Sequence, residues 1–216
     1  EIAPQIAEKL GVTGLPSVFA IHDGIVMDHF QGLLEKDDII QWIEALLTQI
    51  TFNQALENES KDPAASEKVY RELCEKREDV DAIKIALARV ASTQGRHDEA
   101  YEIIVTLENE RGFLEPEAQQ IKAMIELERC PVDLDLLRSQ SGEQPDNLDF
   151  RLQLAEGLAA NKEYEESFSI ALELVRKDKS EIGESAKQFL IKAFKALDSE
   201  SELVNQFRRK LAMLMY

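Results

Sequence analysis

Two periodicities divide the chain. Near the start, Ser17-Val-Phe-Ala-Ile-His22 is a short apolar run rich in strand formers, and Ile25 to Phe30 forms a second run. Asp23-Gly24 between them suits a two-residue type I′ hairpin turn. Ile2 to Leu10 reads as the end of a helix stopped by Gly11. After Gly32, Asp37 is placed to cap a new helix, with Asp38 in its first turn. Ile39, Ile40, Ile43, Leu46 and Leu47 share one face of that helix. A hairpin with one helix is marginal in water, so this piece needs something to complete it.

From about Thr51 the apolar period is that of a helix. The segment Leu87 to Ile104 aligns without a gap on Leu154 to Ala171, an offset of 67 residues. That is two repeats of roughly 34 residues, the length of the tetratricopeptide unit. Each segment holds a helix with small residues, a polar turn and an acidic start to a second helix. Ala88 and Ala100 correspond to Ala155 and Ser167, where small side chains let paired helices approach closely. Leu87, Tyr101, Ile104 and Leu107 correspond to Leu154, Phe168, Ala171 and Leu174, the apolar contacts of the pair. The pattern is degenerate: the usual Trp and some glycines are missing. Further helices are expected over Ser66–Lys76, Glu115–Glu128, Asp133–Ser139 and Ile182–Leu197. A last helix carries Leu203, Val204, Phe207, Leu211, Leu214 and Met215 on one stripe. Such stripes read first as packing between stacked helices.

Charge narrows the partners. A formal net charge of −17 repels phosphates, which argues against nucleic acid and anionic lipid and for protein partners. Arg208, Arg209 and Lys210 are a local exception. No apolar run approaches the roughly 20 residues of a membrane span. Two cysteines, Cys74 and Cys130, make no disulfide framework and fit a reducing cytoplasm. Cys74 is expected to be buried and inert; the reactivity of Cys130 is left open. The opening Glu-Ile-Ala-Pro is not a signal peptide and reads as an internal starting point. His22, His29 and His97 have no metal-ligand spacing, and no phosphate loop or nucleophile elbow occurs. No cofactor and no metal are expected. The run Glu163 to Glu166 reads as a solvated helix face, and Trp42 as packing.

Two stretches carry a resemblance. Ala7 to Gly24, with its Gly-Val-Thr-Gly-Leu-Pro-Ser loop, followed by Gly32 and the Asp38–Leu47 helix, looks like the second half of a thioredoxin domain. Asp146 to Tyr216 is similar to the C-terminal segment of bacterial chaperedoxins, the YbbN-type thioredoxin/tetratricopeptide co-chaperones. Three pieces carry this match: Glu163-Tyr-Glu-Glu-Ser, Arg176-Lys-Asp and Phe207 to Tyr216. The expected architecture is mainly α. The C-terminal half of a thioredoxin-like α/β domain (residues 1–50) precedes a tetratricopeptide-like antiparallel helix-pair solenoid (residues 51–216).

The resemblance implies a cis Leu15–Pro16 bond in a loop that contacts bound peptide; the alternative is that Pro16 only shapes the turn. It implies a co-chaperone that holds unfolding client proteins and hands them to a chaperonin or to the Hsp70 system. It further implies docking to the chaperonin through the last helix, by Phe207, Arg208, Arg209, Leu211, Leu214, Met215 and Tyr216; the alternative is that this helix only caps the stack. No C-x-x-C occurs, so the chain itself is not expected to be an enzyme. A thiol-disulfide oxidoreductase whose redox half is missing and a passive scaffold remain the competing readings.

Overall fold

The computed structural model describes residues 4–128, 133–197 and 201–215. Cys130 and Tyr216 lie outside these residues. The described chain is mainly helical, with eleven helices and one two-stranded sheet, and it divides into units 1–78 and 79–216.

Unit 1 runs α1 (Pro4–Lys9), β1 (Ser17–His22), β2 (Ile25–Gln31), α2 (Lys36–Glu59) and α3 (Pro63–Lys76). The hairpin is antiparallel, pairing Val18 with Phe30 and Phe19 with His29, and a register shift follows Ala20. A type I′ turn needs positive φ at both central residues, and Asp23 (49°) and Gly24 (79°) supply it. Helix α2 docks on the hairpin through Trp42. The ring meets Phe30 edge-on at 5.0 Å, and Nε1 donates to Asp28 at 2.6 Å. That bond, aided by the His29 backbone N–H, holds the Asp28 carboxyl below its usual range.

Two expectations change here. Asp37 does not cap α2: Glu35 stands at the cap, and Asp37 and Asp38 lie in the first turn. Helix α2 also runs through the expected boundary at 50/51 for 24 residues, because no Gly or Pro interrupts positions 33–62. Its second half packs on α3 as a further helix pair. The buried Ser66 hydroxyl donates to the Ala55 carbonyl at 2.8 Å. Tyr70 is fully buried, tilts against Phe52 at 5.7 Å and donates to Glu59 at 2.7 Å. Asp62 caps α3 by accepting from the Ala65 N–H at 3.0 Å.

Unit 2 contains α4 (Asp81–Thr93), α5 (His97–Arg111), α6 (Pro116–Glu128), α7 (Leu134–Glu143), α8 (Leu148–Ala160), α9 (Tyr164–Lys177), α10 (Glu181–Ala196) and α11 (Glu202–Met215). The aligned segments become the hairpins α4/α5 and α8/α9. At their crossing points Ala88, Ala100, Ala155 and Ser167 are all fully buried. Ser167 donates to the Ala155 carbonyl at 2.6 Å, the same bond that Ser66 makes in unit 1. The turn residue Gly95 has φ 79°, and its counterpart Lys162 keeps the left-handed conformation at 67° without being glycine.

Short turns set the antiparallel sense of each pair, and ion pairs bridge the paired helices: Arg111 clasps Asp81 at 2.8 Å, and Arg151 meets Glu173 at 2.5 Å. Glu163 and Glu166 are not simply solvated, because both accept from Arg138 of α7, at 2.8 and 2.9 Å. Helix α6 departs from a simple run of successive pairs by packing chiefly against α10. There Gln120 reaches the Ala196 carbonyl at 3.5 Å. Asn147 caps α8, and Asp178 receives the Ile182 and Gly183 N–H groups at the start of α10.

The α9–α10 turn is the tightest approach. A β-carbon on Gly183 would lie 1.8 Å from the Asp178 carbonyl oxygen. Gly183→Ala is therefore expected to lower stability by about 1–3 kcal/mol or more, since backbone must move. Gly142→Ala meets open space in α7 and is expected to be neutral or stabilising by about 0.5–1 kcal/mol. Urea unfolding of the two variants checks the contrast.

Candidate functional site

The proline loop presents its apolar residue outward. Leu15 is 91% exposed, and the Leu15–Pro16 bond is cis. The Gly32 N–H donates to the Pro16 carbonyl at 2.9 Å, and the Ser17 hydroxyl donates to the Gly14 carbonyl at 2.6 Å. These bonds tie the loop to both strands at the open end of the hairpin. Strand β1 pairs only with β2 among the described residues, so one edge is open. Val18, Ile21, Ile25, Ile40, Ile43 and Leu47 are also exposed, so unit 1 presents a set of large apolar side chains at its surface.

The last helix turns part of its apolar stripe inward. Phe207 is 2% exposed and Leu211 is 5% exposed. Phe207 packs edge-on to Phe168 at 5.5 Å, inside the core shared by α8, α9 and α10. Of the two readings of this stripe, docking through it or capping by it, Phe207 and Leu211 follow the second, because a helix at the edge of a stack must bury its apolar side. Arg208 is drawn to the same side. Its guanidinium donates to the Phe194 carbonyl at 2.8 Å and lies over the Phe194 ring at 5.9 Å. Lys210 stands over the Phe207 ring at 4.4 Å. Arg209 faces solvent, Leu214 is half-buried, and Met215 is 54% exposed. Met213 is 78% exposed. It lies off the apolar stripe, an apolar residue out of phase with its helix.

A third surface is concave. Helices α6, α8 and α10 enclose a groove of about 680 Å³, with Leu127 and Phe189 in its lining and Glu126, Glu156, Glu181 and Glu184 among its polar groups. Lys192 is the basic group of this lining, and its ammonium is bonded to Glu126 at 2.6 Å. Glu184 accepts from Lys187 and from Gln188. Glu156 is half-buried on α8, and burial pushes its carboxyl above the ordinary value against the opposing field of Lys192.

The remaining candidates are dispersed. His29 stacks on Phe19 and His22 lies beside Asp23. His97 lies 3.6 Å from Glu128. No group of three His, Cys, Asp or Glu among the described residues could hold a metal. Cys74, expected to be buried, is partly exposed on α3. No helix among the described residues is long and apolar enough to cross a membrane.

Residues 131–216 match the family model for the tetratricopeptide repeat. The C-terminal region thus carries tetratricopeptide-like repeats. Uncharacterized proteins of Mycobacterium tuberculosis and Mycobacterium bovis are 25% identical over 221 residues. The match takes in all of this chain, and the chain spans 66% of the length of those relatives. A crystallised domain of unknown function from Vibrio parahaemolyticus superposes with a TM-score of 0.36 at 20% identity, covering 78% of this chain and 99% of that domain. Within residues 131–216, α8/α9 is the helix pair that carries the small-residue crossing, and α11 closes its end.

Two expected outcomes test these placements. Phe207→Ala should cost about 3–5 kcal/mol, as for a buried aromatic, while Met213→Ala should change stability by under about 0.5 kcal/mol. Thermal unfolding separates a core role from a surface role. Glu156 gives a pH signature. Because the fold favours its protonated form, its cost is absent below the ordinary value of 4.5 and grows as pH rises through the raised folded value. Glu156→Gln should therefore raise the melting temperature at pH 7 and leave it unchanged near pH 4.

Proposed function

We propose that this chain is a protein-binding chaperone or co-chaperone, which holds unfolding client proteins and hands them to a chaperonin or the Hsp70 system. The observation that carries the reading is the set of tetratricopeptide-like repeats. Their helix pairs leave long concave and terminal surfaces suited to extended polypeptide rather than to small-molecule chemistry. In the same reading, residues 1–50 are the C-terminal half of a thioredoxin-like domain. Leu15 and the open edge of β1 would then meet client backbone, which pairs readily with an unpaired strand.

With Phe207 and Leu211 buried, the proposed docking surface of α11 rests on its exposed residues Arg209, Lys210, Met213 and Met215. Exposed methionines beside cations make an adaptable apolar contact steered by charge.

The test pairs two assays on one variant. The intact chain is expected to suppress aggregation of a chemically denatured client and to retain purified chaperonin on a column. Met213→Ser with Met215→Ser should lose chaperonin retention while suppression persists and the melting temperature is unchanged. Suppression without any chaperonin retention by the intact chain would remove the hand-over and leave a holding role. Failure of both assays would favour a passive scaffold.

A further inference from the structure

The groove between α6, α8 and α10 holds a group that the fold itself does not explain. Glu156 is half-buried at a cost to the folded state at neutral pH, and no hydrogen bond to its carboxylate occurs among the described residues. A carboxylate withdrawn from water normally gains a partner that repays the lost hydration. The one cation whose field reaches it, Lys192, is engaged with Glu126. Groups that burden a fold without serving its packing concentrate where a ligand binds.

We propose that this groove binds an extended segment of a partner polypeptide through a lysine or arginine, whose cation pairs with Glu156 while its methylene stem lies against Leu127 and Phe189. The inference rests on the reading of the chain as a polypeptide-binding module, and adds the chemistry that the groove selects.

Three features choose this occupant. The polar lining is dominated by glutamates, and its lysine is already neutralised, so an acidic segment or a free C-terminal carboxylate would enter against the field. The apolar surface beside the carboxylates suits a side chain with a long aliphatic stem and a charged head. No set of three ligands is placed for a metal among the described residues, which leaves the carboxylate to an organic cation.

The test uses the full chain and a fluorescein-labelled nonapeptide of alternating lysine and alanine, with its glutamate counterpart as control. Fluorescence anisotropy at 50 and 150 mM salt is expected to show binding of the lysine peptide only. Glu156→Gln should weaken that binding about tenfold, while Glu57→Gln, an exposed carboxylate on α2 of unit 1, should leave it unchanged. The comparison matters because a chain of net charge −17 attracts any basic peptide. Equal weakening by both substitutions would reduce the effect to that general field and overturn the proposal, as would no binding at all. If the intact chain still suppresses client aggregation in that case, only the groove assignment falls. If suppression is also absent, the polypeptide-binding reading falls with it.

Discussion

The close approach of paired helices at small residues is the contact on which the rest depends. Ala88 meets α5 at Ala100, Ala155 meets α9 at Ser167, and Ala55 meets α3 at Ser66. With side chains this small the backbones come near enough for the larger residues above and below to interdigitate. Tyr70, Ile104 and Ala171 then occupy one equivalent level, and Leu73, Leu107 and Leu174 the next; all are buried. The two serines add a requirement that alanine does not. A hydroxyl at a dry crossing must find an acceptor, and each finds the carbonyl of the facing small residue.

That geometry makes surfaces as well as cores. A helix pair buries its inner faces and leaves outer faces for a neighbour, so each end of a stack needs closing. Helix α11 closes one end with Phe207 and Leu211, and the aromatic cluster of Phe168, Phe194 and Phe207 locks it down. Closure directs Arg208 and Lys210 onto the same rings and leaves Met213 outside. Helix α6 packs on α10, and a groove lies between these two helices and α8. The carboxylate of Glu156 is stranded there by the packing of three helices that are distant in sequence.

Unit 1 follows the opposite logic. Its hairpin is specified locally by Asp23-Gly24 and by alternating apolar residues, and Trp42 ties α2 to it through Asp28 and Phe30. Yet much of its apolar surface stays exposed, as a two-stranded sheet must leave it. Helix α2 joins two roles in one element: its first half serves the hairpin and its second half begins the series of helix pairs with α3.

The sequence by itself determined the hairpin, the helical remainder, the 67-residue correspondence and the small positions at which helices cross. These are set by short-range rules: turn residues with positive φ, apolar period, and side-chain size at fixed offsets. It also indicated which face of α11 is apolar, but not whether a core or a partner would cover it. Periodicity reports that a face must be buried and is silent about what buries it. Helix α6 on α10 and the partial burial of Glu156 were decided by tertiary structure. Each depends on residues tens of positions apart whose meeting no local pattern encodes. The run of α2 beyond residue 50 was legible in the absence of Gly and Pro, but only the Ser66–Ala55 and Tyr70–Phe52 contacts show why that extra length is used.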